Sequence, residues 1–375
     1  MHITSRAPRA ILIDVIPPDM DRDMAAWRIT ELESLTRTFG GIVIVKLLQK
    51  RSQPDYKTFI GSGKLEEILR IAKEERADIL IVNNLLKPKQ LFALEEALRP
   101  HKMAAWDRVD LILKIFQKHA STAEAKLQIK LAAIKHMGPR IFGMGMEMSQ
   151  QAGGIGTRGL GETNTEIMKR HLADQERQVK KELEKAARSR GVHRARRERL
   201  GLPTASIVGY TNAGKSSLLN ALTKKGALVA DALFATLDTR VSKLWLPNDD
   251  PTVMPLSILL SDTIGFIQDL PPSLISAFRS TLDETVEADL LLHVIDAGDA
   301  HLHEKIAEVE DILKHLGVTA TPRIYVFNKM DTASKLDRAA ISEHYADMMP
   351  TFVSCLDGSG LDDLKHAIAE RLRMA

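Results

Sequence analysis

Between residues 205 and 218 an apolar run, Ala205-Ser206-Ile207-Val208, meets a glycine-rich turn, Gly209 to Gly214, and then Lys215-Ser216-Ser217-Leu218. The spacing is that of a phosphate loop, G-x-x-x-x-G-K-[ST]. A phosphate chain needs backbone N–H groups pointing inward, and side chains at Gly209 and Gly214 would obstruct them. Asn212, Ala213 and Ser217 complete the loop that would cradle the phosphates. A helix starting at Lys215 adds its positive end to the same anion. Lys215 can reach the β- and γ-phosphates, and the Ser216 hydroxyl can ligate Mg²⁺. A second apolar run, Ile258 to Leu260, ends near Asp262-Thr263-Ile264-Gly265. An acid at the end of a buried strand is where the second Mg²⁺ contact of such an enzyme sits, so Asp262 is expected to act there through water.

A third strand, Arg323 to Phe327, runs into Asn328-Lys329-Met330-Asp331. This resembles the N-K-x-D guanine motif of the GTPase superfamily. The resemblance implies that Asp331 accepts from the guanine N1 and N2 hydrogens, Asn328 contacts the purine and the Lys329 stem lies over the ring. Adenine has no matching donor edge, so GTP is expected over ATP. Ser354-Cys355 resembles the last base-contacting loop of that superfamily. Phe234-Ala235-Thr236-Leu237-Asp238 falls where those proteins carry their first switch. Thr236 is the expected Mg²⁺ ligand there, with Thr239 as the alternative. Lys215, Thr236 and Gly265 are therefore the residues expected to attend the transferred phosphate.

These residues need a parallel α/β sheet to bring strand ends together, and the chain is long enough for more than one such body. A length of 375 residues predicts two or three domains, and 44% hydrophobic residues suffice for real cores. The net charge of only +3 does not by itself argue for a nucleic-acid partner; its distribution matters more. A single cysteine rules out an internal disulfide and offers no metal cluster. No apolar run approaches the ~18 residues of a membrane span, and the N-terminus lacks a signal-peptide pattern. A cytoplasmic monomer is the expectation.

From residue 9 to 106 strands and helices alternate. Ala10–Val15, Ile42–Leu48, Ile79–Val82 and Met103–Trp106 read as strands. Asp23–Phe39, Lys64–Ala77 and Pro88–Leu98 read as helices, the first closed by Gly40-Gly41. Alternation of this kind predicts a parallel sheet with helices on its faces. Gly61-Ser62-Gly63-Lys64 is not a second phosphate loop: Thr58 stands at the first glycine and Leu65 follows the lysine. From 108 to 137, Val109, Leu113, Phe116, Ala120, Ala123, Leu127, Leu131 and Ile134 form the stripe of one long amphipathic helix, ended by Gly138-Pro139. A glycine- and methionine-rich loop over 143–161 follows, then a helix from Thr163 to Ser189. Leu172, Val179, Leu183 and Ala186 would pack this helix on the first as an antiparallel hairpin with the loop at its tip. The second helix and its exit concentrate Lys169, Arg170, Lys180, Lys181, Lys185, Arg188, Arg190, Arg194, Arg196, Arg197 and Arg199. One reading is a solvated face with i,i+4 pairs such as Glu176–Lys180. The other is a grip on phosphate backbone, with Arg158 at the tip, suited to structured RNA because few aromatics interleave. The expected organisation is an α/β lobe over 1–106, a helical hairpin over 107–200 and a P-loop GTPase domain over 201–375.

Four stretches outside the nucleotide motifs narrow the reading: Phe59-Ile60-Gly61-Ser62-Gly63-Lys64-Leu65-Glu66-Glu67; Asp107-Arg108-Val109-Asp110-Leu111-Ile112-Leu113 with Ile115-Phe116; Lys126-Leu127-Gln128-Ile129; and Gly156-Thr157-Arg158-Gly159-Leu160-Gly161-Glu162-Thr163. With them most of the chain resembles the HflX family of ribosome-associated GTPases. The resemblance implies GTP and GDP as ligands, binding to the large ribosomal subunit through its RNA, and a role in splitting or rescuing stalled ribosomes. The family often has proline where this chain has Leu160, so a differently shaped tip is expected. Many members continue past the position of Met374, and any contact made by that extension is expected to be missing.

Many GTPases place a glutamine after D-x-x-G to orient the attacking water. Here that residue is Phe266, which cannot hydrogen-bond water. Slow intrinsic turnover, raised by a partner, is the preferred expectation; a nucleotide-gated scaffold with negligible hydrolysis and a GTPase acting on another structured RNA are the alternatives. Asn212 has two readings: a K⁺ ligand against the phosphates, as in some GTPases, or a turn residue.

Overall fold

The computed structural model describes the backbone of residues 6–151, 164–199, 201–223, 233–234, 240–246, 256–269, 271, 274–275, 282, 285–334 and 336–374. The chain divides into two compact units, Met1–Lys118 with Leu127–Glu182, and His119–Lys126 with Leu183–Ala375.

The first unit is built on four strands, β1 (Arg9–Ile16), β2 (Ile42–Lys50), β3 (Ile79–Val82) and β4 (Ala104–Asp107). They lie in the order β2-β1-β3-β4, all parallel. The central β1 and β3 are buried almost throughout, as a sheet with helices on both faces requires. Helices α1 (Arg22–Phe39), α2 (Ser62–Glu75) and α3 (Pro88–Leu98) alternate with the strands as the periodicity predicts. Asp21 caps α1 through the amides of Asp23 and Met24, and Gly40 closes it in the left-handed region at φ 98°. A buried polar network lies at the carboxyl ends of these strands. Asp14 accepts from Arg28 at 2.9 Å and from the Asn83 amide at 2.8 Å. Arg108 donates to the Asn83 carbonyl oxygen at 2.8 Å and pairs with Glu31.

The expected single helix over 108–137 is two helices. Helix α4 (Arg108–His119) stops, and α5 (Ala123–Gln151) starts afresh. Thr122 caps α5 by accepting the Ala125 amide at 3.1 Å on its hydroxyl. The apolar stripe continues across this joint, so periodicity alone does not reveal it. Gly138-Pro139 does not end α5, which runs on to Gln151. The proline removes one rung of the ladder, at a cost of about 3 kcal/mol for an interior position, without stopping the helix. Residues 143–151 of the expected loop are thus helical, and 152–163 lie outside the described residues. Helix α6 spans Asn164–Arg199, and Val179 on it is buried.

The second unit carries strands β5 (Thr204–Gly209), β6 (Arg240–Trp245), β7 (Ser257–Asp262), β8 (Leu290–Asp296), β9 (Arg323–Asn328) and β10 (Thr351–Phe352). Their order is β10-β9-β8-β5-β7-β6, parallel except for β6 against β7. Helices α7 (Lys215–Thr223), α8 (Leu302–His315), α9 (Arg338–His344) and α10 (Leu361–Met374) accompany it. Leu218, Leu219 and Leu222 of α7 pack in one core with Ile207, Leu260, Leu292, Val326, Leu364 and Ile368. That core fixes the start of α7 above the carboxyl ends of β5 and β7, where ligands of open parallel sheets bind.

Candidate functional site

Chain reversal between β5 and α7 depends on two glycines. Gly209 has φ 146°, and a Cβ there would run into the Val294 carbonyl of the neighbouring strand β8. Gly214 has φ 94°, and its Cβ would strike the Asn328 amide. Between them Asn212 is also left-handed, at φ 64°, a conformation that asparagine tolerates better than most residues. Ala213 is buried, while Asn212 is exposed at the crest of the loop.

The donor set for a hard cation lies at the base of this loop. Ser216 donates its hydroxyl proton to the Asp262 carboxylate at 2.6 Å, and Asp262 is fully buried. A hydroxyl and a carboxylate this close, with oxygen atoms only, fit Mg²⁺ rather than a soft metal. Thr236 and Thr239 lie outside the described residues. Lys215 is buried, and its ammonium donates to the Tyr210 carbonyl at 2.7 Å. Burial pulls its pKa down to about 8, with the Asp262 carboxylate pulling weakly the other way. Gly265 sits against this lysine: a Cβ there would be 2.8 Å from the ammonium and 2.7 Å from the Thr211 methyl. Only glycine lets the D-x-x-G segment approach the loop so closely.

Phe266 packs in the interior. It is fully buried, its amide donates to the Gly209 carbonyl at 3.1 Å, and its carbonyl accepts from the Thr211 amide at 2.7 Å. The chain after Gly265 is thereby laced to the phosphate loop like a short parallel strand. The Tyr210 hydroxyl accepts the Gln268 amide at 2.6 Å, and the Lys305 ammonium of α8 lies 4.9 Å from the Tyr210 ring centre. The sequence reading had no role for Tyr210 or Thr211. Their place inside the glycine-rich loop was the available signal.

Three loop ends meet at the other side. Asn328, buried at the end of β9, donates from its amide to the Ala213 carbonyl at 3.0 Å and accepts the Cys355 amide at 3.2 Å. It ties the phosphate loop to both candidate base loops. Ser354 donates its hydroxyl to Asp331 at 2.7 Å, which orients that exposed carboxylate. Lys329 turns through φ 65° and donates to Asp296, at the end of β8, at 2.7 Å. Asp296, the last residue of β8, was not singled out from the sequence. The Cys355 thiol is pushed up to about 12, first by burial and then by the Asp331 charge. The structure therefore brings together Gly209, Asn212, Ala213, Gly214, Lys215, Ser216, Ser217, Asp262 and Gly265 at one end, and Asn328, Lys329, Asp331, Ser354 and Cys355 at the other.

One further titratable cluster lies in the first unit. Asp107, Asp110 and His136 present ligand atoms within 4.8 Å of one another. The two carboxylates form a reciprocal cap on α4: Asp107 accepts the Asp110 amide at 2.9 Å, and Asp110 accepts the Asp107 amide at 3.1 Å. His136 of α5 lies 3.2 Å from Asp107. The capping of a helix start explains the carboxylates without a metal.

Three stretches of the chain match known families. Residues 27–117 match a family described as GTP-binding GTPase N-terminal, and residues 119–197 match its GTP-binding GTPase middle region. Residues 204–329 match a family described as 50S ribosome-binding GTPase. The chain is 42% identical to GTPase HflX of Caldanaerobacter subterraneus over 97% of its own length and 80% of that protein's. It is 36% identical to GTPase HflX of Escherichia coli, with 94% and 80% covered. A GTP-binding protein of Sulfolobus solfataricus, solved with GDP, shares the fold at a TM-score of 0.50 and 24% identity, with 98% and 99% of the two chains covered.

Proposed function

The chain belongs to the HflX family of GTPases, and from that premise we propose that it hydrolyses GTP at the cradle of Gly209–Ser216 while seated on the large ribosomal subunit, where it splits or rescues stalled ribosomes. Ser216 and Thr236 would hold Mg²⁺ directly and Asp262 through water, and the ion would neutralise charge on the phosphates. Lys215 orients the β- and γ-phosphates. Asp331, aligned by Ser354, reads the guanine edge, and Asn328 holds the two halves of the pocket in register. Asn212, exposed at the crest, would add a K⁺ contact on the phosphate side; equal hydrolysis rates in K⁺ and Na⁺ would remove that part of the reading.

The observation that supports an RNA partner is the surface of α6. Lys169, Arg170, Lys180, Lys181, Lys185 and Arg188 are exposed along it. Lys180 pairs with Glu176 at 2.7 Å, an exposed i,i+4 pair that contributes about 0.5 kcal/mol and leaves the face positive. Lysine and arginine facing water along one helix suit a phosphate backbone read by shape. This setting is cytoplasmic, and among the described residues no helix is long and apolar enough to cross a membrane. The test is GTP hydrolysis with and without purified large subunits, beside co-sedimentation at rising salt. A strong acceleration, with binding that weakens steeply between about 50 and 200 mM salt, supports the proposal. No acceleration and no co-sedimentation would direct the search to another RNA.

A further inference from the structure

Phe266 is buried with both backbone groups committed to the phosphate loop, so its own side chain does not hold the attacking water. Most nearby hydroxyls are engaged. Thr263 donates to the Ile207 carbonyl at 2.6 Å, Ser216 donates to Asp262, and the Tyr210 hydroxyl accepts from Gln268. Thr211 differs. Its side chain is 6% exposed, yet its hydroxyl oxygen has no hydrogen-bond partner among the described residues. A buried hydroxyl left unmet is uncommon and calls for a reason. Packing does not supply one, because the methyl is the part of Thr211 that meets Gly265, and valine would provide it equally.

We propose that the Thr211 hydroxyl positions the attacking water for GTP hydrolysis. The Thr211 methyl, Gly265 and the Lys215 ammonium converge on one point of the loop, the end to which a phosphate-loop lysine brings the γ-phosphate, and the hydroxyl is carried on the same Cβ as that methyl. A phosphate chain held by Lys215 would bring its γ-phosphate to that side of Thr211. The hydroxyl then donates to a γ-phosphate oxygen and accepts from the water. In the reaction the water oxygen bonds to the γ-phosphorus, and the bond to the bridging oxygen breaks. The electron pair leaves on the β-phosphate of GDP, and the water proton ends on the phosphate released. Thr211 neither gains nor loses a proton; it fixes direction, which is the larger part of catalysis in phosphoryl transfer.

The inference rests on the reading of Gly209–Ser216 as the phosphate cradle, and the experiment separates the two. Single-turnover GTP hydrolysis and GDP affinity are measured for the full chain and for Thr211→Val, Thr211→Ser and Lys215→Ala. The expected result is a rate lowered roughly 100- to 1000-fold in Thr211→Val, comparable with removal of one oriented hydrogen-bond group, at GDP affinity within about threefold. Thr211→Ser restores the rate. Hydrolysis by Thr211→Val at the unmodified rate overturns the proposal. So does a parallel loss of rate and affinity in both Thr211 variants, which marks a purely structural residue. Unchanged GDP affinity in Lys215→Ala overturns the cradle reading itself.

Discussion

Asn328→Ala tests whether one side chain holds the nucleotide pocket in register. Asn328 is 2% exposed, and its amide spans the Ala213 carbonyl at 3.0 Å and the Cys355 amide at 3.2 Å. Truncation leaves one acceptor and one donor in a site that water enters poorly. Each such orphan costs about 1–3 kcal/mol, so about 2–6 kcal/mol is expected in total. If the alignment serves binding, most of that appears as lost GDP affinity, roughly 30-fold or more. Asn328→Asp should be no better, because it sets a carboxylate oxygen against the Ala213 carbonyl. The assay is fluorescent GDP titration beside urea unfolding of the same samples. A variant that loses stability by this amount but binds GDP as the parent does would refute the register argument, since the two loops would then need no tie to hold the nucleotide.

Other expectations follow from the same geometry. Phe266→Gln should not speed hydrolysis, because position 266 faces the interior; burying the amide should lower stability by about 1–3 kcal/mol, read in a thermal melt. GDP affinity should fall as pH rises through about 8, where Lys215 loses its proton before phosphate can restore it. The decline approaches tenfold per pH unit at most, and Lys215→Met should abolish the slope. Burial drives the His293 pKa down from 6.5 to about 3, so the unfolded chain takes up a proton between those values that the folded one does not. That contribution to stability is complete above pH 6.5 and is lost as pH falls toward 3, on the order of several kcal/mol. His293→Leu should flatten the acid limb of a urea midpoint against pH profile.

Much of this molecule was legible because its signals are local. The spacing Gly209-x4-Gly214-Lys215-Ser216 names a loop whose geometry follows from the glycines, and the strands of the first sheet were marked by β-branched runs between turn residues. The joint between α4 and α5 was not legible, because Ala120 and Ala123 keep the apolar period intact while Thr122 restarts the helix. Pro139 misled for the opposite reason: a local breaker lies inside a helix that runs on to Gln151. Phe266 could be read only as the lack of an amide, since residue type says nothing about which way a side chain turns. The bridging of Ala213 and Cys355 by Asn328 joins positions 115 and 27 residues away, a distance no local pattern reports.

Cys355 has a practical consequence. It is the one cysteine of the chain, and its thiol is held up to about 12. Near neutral pH only roughly one molecule in 10⁵ carries the thiolate that maleimides and iodoacetamides attack. A cysteine introduced at Tyr56, which is 87% exposed, would react far sooner. Dyes and spin labels can therefore be attached at chosen surface points without first mutating the nucleotide pocket.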